Sequence, residues 1–507
     1  MKEKYIRTSL LRVIFFALPC LLWLMSSCKK LVDAGSPLTT ITTDETFSRD
    51  GSANAAIAGL YSLMMNGNGD LIFSNGALTV YAGMSSDELT NYSGVGELAD
   101  YNFSINKLDS QNPVIQSSFW KPQYKLIFNA NSIVEGIAAS TSNQLTAGIR
   151  KQLTAEAKFL RAFSYFYLVN LFGDVPLVLS TDWKANTQLK RAPKEEVYLQ
   201  MIKDLKEAQS DLPEDYSLTG GQRIRVNKFA ATALLARVYL YTRDWKNAEA
   251  EASRVIANGQ YALEEDLNNV FLSTSRESIW QLKASLSSVG NTSRLYDYIN
   301  FKSQQLWSEI PDDLKPLYLD QSIFPDVNFL FYGRYTMTTK LSAAFENDDK
   351  RLAIWTNYVD TPTYPPYTGI TDHFPSKYTR IPGMENGQGY YTVLRFAEQL
   401  LIRAEARANL SNLLGADEDL NKIRNRAGLV NITSGSVALA LQAVAHERQT
   451  ELFAEWGHRW FDLKRTGKVT EAFFDLPAKR ADANQLLYPI PDAEIKLDPH
   501  LIQNPGY

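Results

Sequence analysis

Few residues in this chain could carry out catalytic chemistry, and their spacing argues against most of it. His446-Glu447-Arg448-Gln449-Thr450 opens like the helix of a zinc protease, but the second histidine four residues on is missing. His458 lies twelve residues later, off the same helical face, and the whole chain has 4 histidines. No Gly-x-Ser-x-Gly nucleophile turn and no Gly-x4-Gly-Lys phosphate loop occurs. Gly67 and Gly69 lack the strand-then-helix context of a nucleotide loop. Glu447, Glu451 and Glu455 recur at i, i+4 and so share a helical face, the one arrangement here that resembles a carboxylate pair for glycoside hydrolysis. Arg448, Arg459, Lys464 and Arg465 lie close in sequence, so ion pairing is the simpler expectation. The residues predict no catalytic group, no metal site and no cofactor.

Cys28 is the other reactive residue. Lys2, Lys4, Arg7 and Arg12 form a basic start, and Val13 to Met25 is an apolar run. Ser26-Ser27-Cys28 follows as a small-residue cut site before a cysteine. That order describes a secretory signal peptide, and the run is short for a bilayer span of about 20 residues. Leu24-Met25-Ser26-Ser27-Cys28 resembles a bacterial lipobox, in which the cysteine thiol is acylated and becomes residue one. Of the 2 cysteines, Cys20 leaves with the signal, so a lipidated Cys28 leaves the mature chain without thiol chemistry. The formal charge is −4. Shedding a signal with four basic residues and one acidic residue makes the mature chain about −7, which disfavours nucleic acid as a partner.

The elements that position these residues read as mainly α-helical. Residues 29–45 are polar and Thr-rich and form a tether. Helical spacing begins near Ser48, with Ala53, Ala56, Ile57, Leu60 and Tyr61 on one stripe. Residues 66–115, rich in Ser, Gly and Asn, read as loop. Helices are predicted over 117–139, 151–172 (closed by Gly173 and Pro176) and 194–210 (opened by Pro193). Residues 226–258 carry Leu235-Ala236-x-x-Tyr239 with Ala248 nine residues after the tyrosine, the pattern of a tetratricopeptide helix pair. A looser pair spans 396–427. One such unit cannot bury its own face, so a layer built from distant segments is expected. Helix is also predicted at 437–465, and the last twenty residues, with Pro489, Pro491, Pro499 and Pro505, as extended. Between them, residues 280–392 read as loop-rich, with a few short strands and many tyrosines.

Four blocks together resemble the SusD/RagB family of Bacteroidota outer-membrane nutrient-binding lipoproteins. The first runs from Glu156-Ala157-Lys158-Phe159-Leu160-Arg161 to Gly173-Asp174-Val175-Pro176. The second joins Leu394-Arg395 and Ala404-Glu405-Ala406 to Arg424-Asn425-Arg426-Ala427-Gly428. The third is Glu447-Arg448-Gln449-Thr450-Glu451, continuing through Glu455-Trp456-Gly457 and Arg459-Trp460-Phe461-Asp462. The fourth is Tyr488-Pro489-Ile490-Pro491 with Gln503-Asn504-Pro505-Gly506-Tyr507. The resemblance implies a SusD-like fold with tetratricopeptide-like helix pairs and a variable loop-rich part. It implies a non-catalytic protein of the cell surface, anchored in the outer membrane by lipid, that binds oligosaccharide and lies over a SusC-like TonB-dependent barrel. A peptide or glycopeptide ligand of the same barrel type, or a scaffold that binds protein only, is the alternative. On this reading residues 1–27 are signal, 28–45 tether, and 46–507 one domain: a helical part (46–279), a variable ligand region (280–392), and a second helical part with the tail (393–507). The shared residues Arg395, Glu405, Glu451, Arg459 and Asp462 are expected in a buried ion network.

A sugar ring offers an apolar C–H face and a rim of hydroxyls, so its site wants a tyrosine or tryptophan face with amides or charges beside it. The chain has 26 Tyr and 9 Trp, more than the helix stripes require. Two loop regions qualify. One is 87–103, with Asp87, Asn91, Tyr92, Tyr101 and Asn102. The other is 291–335, with Asn291, Arg294, Tyr296, Tyr298, Trp307, Tyr332 and Tyr335. Asn91, Tyr92, Tyr296, Tyr298 and Trp307 are the expected ligand residues.

Overall fold

The computed structural model describes residues 42–66, 71–91, 98–283, 307–320, 322–323, 335–358, 372–378 and 390–507. Five of the long helices begin where a polar side chain accepts from a free backbone N–H. Thr146 accepts from Ile149, Asn227 from Ala230, Asp244 from Asn247, Asn412 from Gly415 and Ser436 from Leu439. The predicted stop at Gly173 is present: it takes φ +75 at the end of Ala147–Phe172.

The helices pack as a row. Lys121–Ala139 lies against Ala147–Phe172, which lies against Lys194–Asp211, then Lys228–Tyr241, Trp245–Ile256, Phe396–Asn409 and Leu413–Arg426, with Val437–Glu451 beside the last two. The row breaks in sequence between Ile256 and Phe396 but not in space, because Trp245–Ile256 packs directly on Phe396–Asn409. Small residues make this close approach possible. Ala230, Ala231, Ala236, Ala248, Ala252, Ala397 and Ala404 are fully buried. The two predicted helix pairs are therefore neighbours in one layer, and the chain makes an excursion between Ile256, where it leaves the row, and Phe396, where it rejoins it.

Short antiparallel strand pairs root that excursion. Ser278–Lys283 pairs with Tyr390–Arg395, Thr356–Tyr358 with His373–Pro375, and Leu89–Asn91 with Tyr335–Met337. Apolar side chains from Phe47 to Leu501 join in one buried cluster, centred on Phe163, Tyr167, Trp280, Tyr391 and Trp456.

Three expectations fail. The helix predicted over 437–465 is broken: Val437–Glu451 and His458–Thr466 are separate helices, with Ala454, Trp456 and Gly457 at positive φ between them. Of residues 66–115, the described stretch 71–91 is not loop but a run of tight helical turns, Phe73–Asn75, Leu78–Ala82 and Gly83–Ser85, buried almost throughout. Helical turns also cover Leu98–Ser104 and Ile115–Trp120. Its polar side chains find distant partners. Thr79 bonds Tyr391 through their hydroxyls at 2.7 Å, Ser85 meets Tyr488 at 3.0 Å, and Ser74 donates to the Met64 carbonyl. The tail is not wholly extended either: Asp492–Leu497 is helical after Pro491, with Asp492 and Glu494 in its first turn.

Candidate functional site

The carboxylates that opened the sequence reading are buried and committed to cations. Glu451 ends the Val437–Glu451 helix, and Glu455 lies in the turn after it. Arg395 reaches both at once. Its Nε donates to Glu455 at 2.8 Å and its Nη1 to Glu451 at 2.6 Å and Glu277 at 2.7 Å. Arg351 joins Glu447 (2.5 Å), Glu451 (3.0 Å) and Asp349 (2.8 Å), and Arg426 joins Glu277 and Glu451. Burial alone would raise the Glu451 carboxyl, but Arg426, Arg395 and Arg351 outweigh it and hold it well below its usual range. A permanently ionised, saturated carboxylate is neither a general acid nor open to a substrate. Ion pairing was expected, with partners close by in sequence; Glu447, Glu451 and Glu455 instead find theirs on elements far away. Nearby pairing does hold for Arg448–Asp462 and Arg465–Asp462, while Arg465 also holds Glu405. The five residues expected in one network are all ion-paired, but in three separate groups: Arg395 with Glu451, Arg459 with Asp87, and Asp462 with Arg448 and Arg465, the last of which also holds Glu405.

The network clamps the roots of the variable region. Glu277 precedes the strand that leads into residues 284–306, and Arg395 ends the strand that returns. Lys377 follows His373–Pro375; its ammonium donates to Glu455 at 2.6 Å and sits 3.9 Å from the Phe453 ring centre and 4.8 Å from that of Trp355. Burial draws its pKa down to about 8, with Glu455 opposing. The helical layer thus holds the ends of these strands through buried ion pairs.

The expected ligand residues fall in different surroundings. Tyr92, Tyr296 and Tyr298, like Cys28, lie outside the described residues. Asn91 ends its strand opposite Tyr335 and is 6% exposed, so it presents little surface. Trp307 opens a 3-10 turn, half-buried, with the Lys315 ammonium 5.7 Å from its ring centre. From the same two regions, Asp87 and Tyr335 are structural. Asp87 accepts from Arg459 at 2.7 and 2.8 Å, and the Tyr335 hydroxyl donates to Asp100 at 2.8 Å. Tyr101 and Asn102 are half-buried. Tyr358, not among the expected residues, ends a strand opposite His373 and is 56% exposed. Nothing local in the sequence separates it from the other tyrosines of 280–392, since its exposure comes from the ladder. Among the described residues no group of three His, Cys, Asp or Glu side chains is placed to hold a metal ion. None of their helices is long and apolar enough to cross a membrane.

Glu88, beside the Leu89–Asn91 strand, makes one electrostatic prediction. Its side chain is 1% exposed and its Oε1 has no hydrogen-bond partner among the described residues. Burial, helped by Asp87, pushes its pKa up to about 8 from 4.5. Between those values the folded state holds a proton that the unfolded state has lost, so stability falls as pH rises. Glu88→Gln keeps the neutral shape. Its melting temperature should match the parent at pH 4.5 and exceed it at pH 8; equal melting temperatures at both pH values would refute the raised pKa.

A sequence profile described as "SusD-like_3: Starch-binding associating with outer membrane" matches residues 74–240, and the profile of the SusD family, SusD_RagB, matches residues 326–507. The chain belongs to the SusD family. "SusD-like protein P2" of Formosa agariphila is 28% identical over 432 residues, 77% of this chain and 80% of that relative. Among solved structures, a "Laminarin binding SusD-like protein" superposes on this SusD-family chain with TM-score 0.72 and 26% identity, covering 91% of this chain and 100% of that one. "Surface glycan-binding protein A from Bacteroides fluxus" matches in fold, with TM-score 0.70 and 21% identity over 91% of this chain and 100% of its own.

Proposed function

We propose that this SusD-family protein captures oligosaccharide at the cell surface, without breaking bonds, and hands it to a SusC-like TonB-dependent barrel. The observation that carries the reading is the match, over nearly all of both chains, to a laminarin-binding SusD-like protein. The chemistry of this chain agrees with it. Its candidate acids are locked in ion pairs, while Tyr358 offers an exposed ring at a rooted strand end. On this reading Cys28 carries the lipid that holds the protein on the outer membrane, residues 46–507 act as one domain, and Asn91, Tyr92, Tyr296, Tyr298 and Trp307 lie at or near the sugar.

Affinity electrophoresis against a panel of polysaccharides, laminarin and starch among them, tests this. At least one polysaccharide should retard the protein. Tyr358→Ala and Trp307→Ala should each weaken that retardation roughly fivefold, the size of one lost ring contact. Parent-like retardation of both variants would remove these rings from the site.

A further inference from the structure

The large apolar side chain most exposed among the described residues is neither in the variable region nor on the helical layer: it is Phe474, at 92%. Its surroundings separate it from an ordinary stray hydrophobe. The backbone is pinned on both sides. Phe473 is buried, its ring parallel to Trp460 at 6.4 Å, and the Lys340 ammonium donates to the Ala472 carbonyl and to Asp475, at 2.5 and 2.6 Å. An open cleft of about 770 Å³ runs beside the ring, lined by Thr466, Gly467, Lys468, Thr470 and Glu471. Gly467, at φ +70 with no atom near where a Cβ would stand, leaves the floor as bare backbone.

The rim supplies both donors and acceptors. The Lys468 ammonium and the Glu471 carboxylate pair at 2.6 Å on the surface, and the Thr466 hydroxyl donates to the Asp462 carbonyl, which leaves its oxygen able to accept. One ring inside a hydroxyl and charge rim has the dimensions and polarity of a sugar residue. A protein interface would instead need a contiguous apolar centre within roughly 800 Å² per partner. The backbone that carries the ring is already held, so binding would order only the ring's own rotamers. Lys340, which pins it, sits on Thr339–Ala344, directly after the Tyr335–Met337 strand that roots the variable region.

We infer that Phe474 and its cleft form a second carbohydrate contact, which stacks one residue of a long glycan while another part of the same chain occupies the variable region. The inference rests on the glycan-binding reading above. Its consequence is length dependence: a polymer gains from both contacts, and a short oligosaccharide from one.

Titration calorimetry with laminarin polymer and with a short laminari-oligosaccharide, on the parent, Phe474→Ala and Phe474→Trp, separates the two claims. Phe474→Ala should bind the polymer roughly fivefold more weakly, one ring contact's worth, and the oligosaccharide as the parent does. Phe474→Trp should bind the polymer at least as tightly as the parent. If the parent binds polymer and Phe474→Ala binds it equally well, the second contact is overturned and the glycan reading stands. If Phe474→Ala weakens polymer and oligosaccharide alike, Phe474 belongs to a single site and the inference is likewise overturned. If the parent binds no polysaccharide of the panel, both claims fall together.

Discussion

Arg395→Ala should lower the unfolding free energy by about 3–5 kcal/mol, the cost of breaking a buried ion pair from one side. Arg395 is 2% exposed and serves Glu277, Glu451 and Glu455 together, besides donating to the Glu451 carbonyl at 2.7 Å. Its loss leaves three buried carboxylates short of a cation. Arg426, Arg351 and Lys377 remain on some of them, which keeps the cost near that of one broken pair rather than three. Lysine should not restore the loss, because one ammonium cannot span a fork of three carboxylates. Urea unfolding at pH 7 measures this. A loss below about 1 kcal/mol would mean that the network carries no more than a surface pair does. Because Arg395 ends a strand that roots the variable region, Arg395→Ala should also weaken glycan retention under conditions where it is still folded.

Gly457→Ala is expected to cost about 2–4 kcal/mol, and Gly467→Ala only about 1–2. Both glycines sit at φ +70, where a side chain costs about 1–2 kcal/mol by itself. They differ in what a Cβ would meet. At Gly457 it would stand 2.6 Å from the Ala82 Cβ and 3.4 Å from the Leu78 carbonyl oxygen, while at Gly467 nothing lies within 4 Å. The excess at Gly457 is the overpacking term. The turn before it is strained already, with Ala454 at φ 50 and Trp456 at φ 48. Burial of Trp456 offsets that strain: its indole Nε1 donates to the Thr392 carbonyl at 2.7 Å, and its ring stacks on Tyr391 at 4.8 Å. Comparing the two alanine variants by thermal unfolding separates conformation from contact. Equal losses would show that the close packing on Ala82 carries no cost.

What could be read from the sequence follows the range of the forces involved. The helix that ends at Phe172 announces itself locally through apolar spacing and a terminal glycine, although its start, capped by Thr146, lies four residues before the predicted one. The Leu235, Ala236, Tyr239 and Ala248 pattern likewise located a helix pair, because both helices supply the residues that let them approach. Residues 71–91 misled because Ser74, Asn75, Thr79 and Ser85 look like loop until their partners are known. Thr79 and Tyr391 are 312 positions apart, and Ser85 and Tyr488 are 403 apart. Ion pairing of Arg395, Glu405, Glu451, Arg459 and Asp462 was legible but its partners were not: Glu451 meets Arg351, 100 residues away, rather than a helical neighbour, and Arg459 pairs with Asp87 apart from the others. At the candidate site, composition could not distinguish a tyrosine facing solvent, such as Tyr358, from one holding Asp100, such as Tyr335. That difference is set by strand register and by what packs behind it.

Incubating the purified protein with the polysaccharide that retards it, then assaying both retention and new reducing ends, tests capture without cleavage most directly. The account predicts retention of the polymer at its original length and no new reducing ends over many hours. Release of reducing ends, or retention of no polysaccharide in the panel, would contradict it.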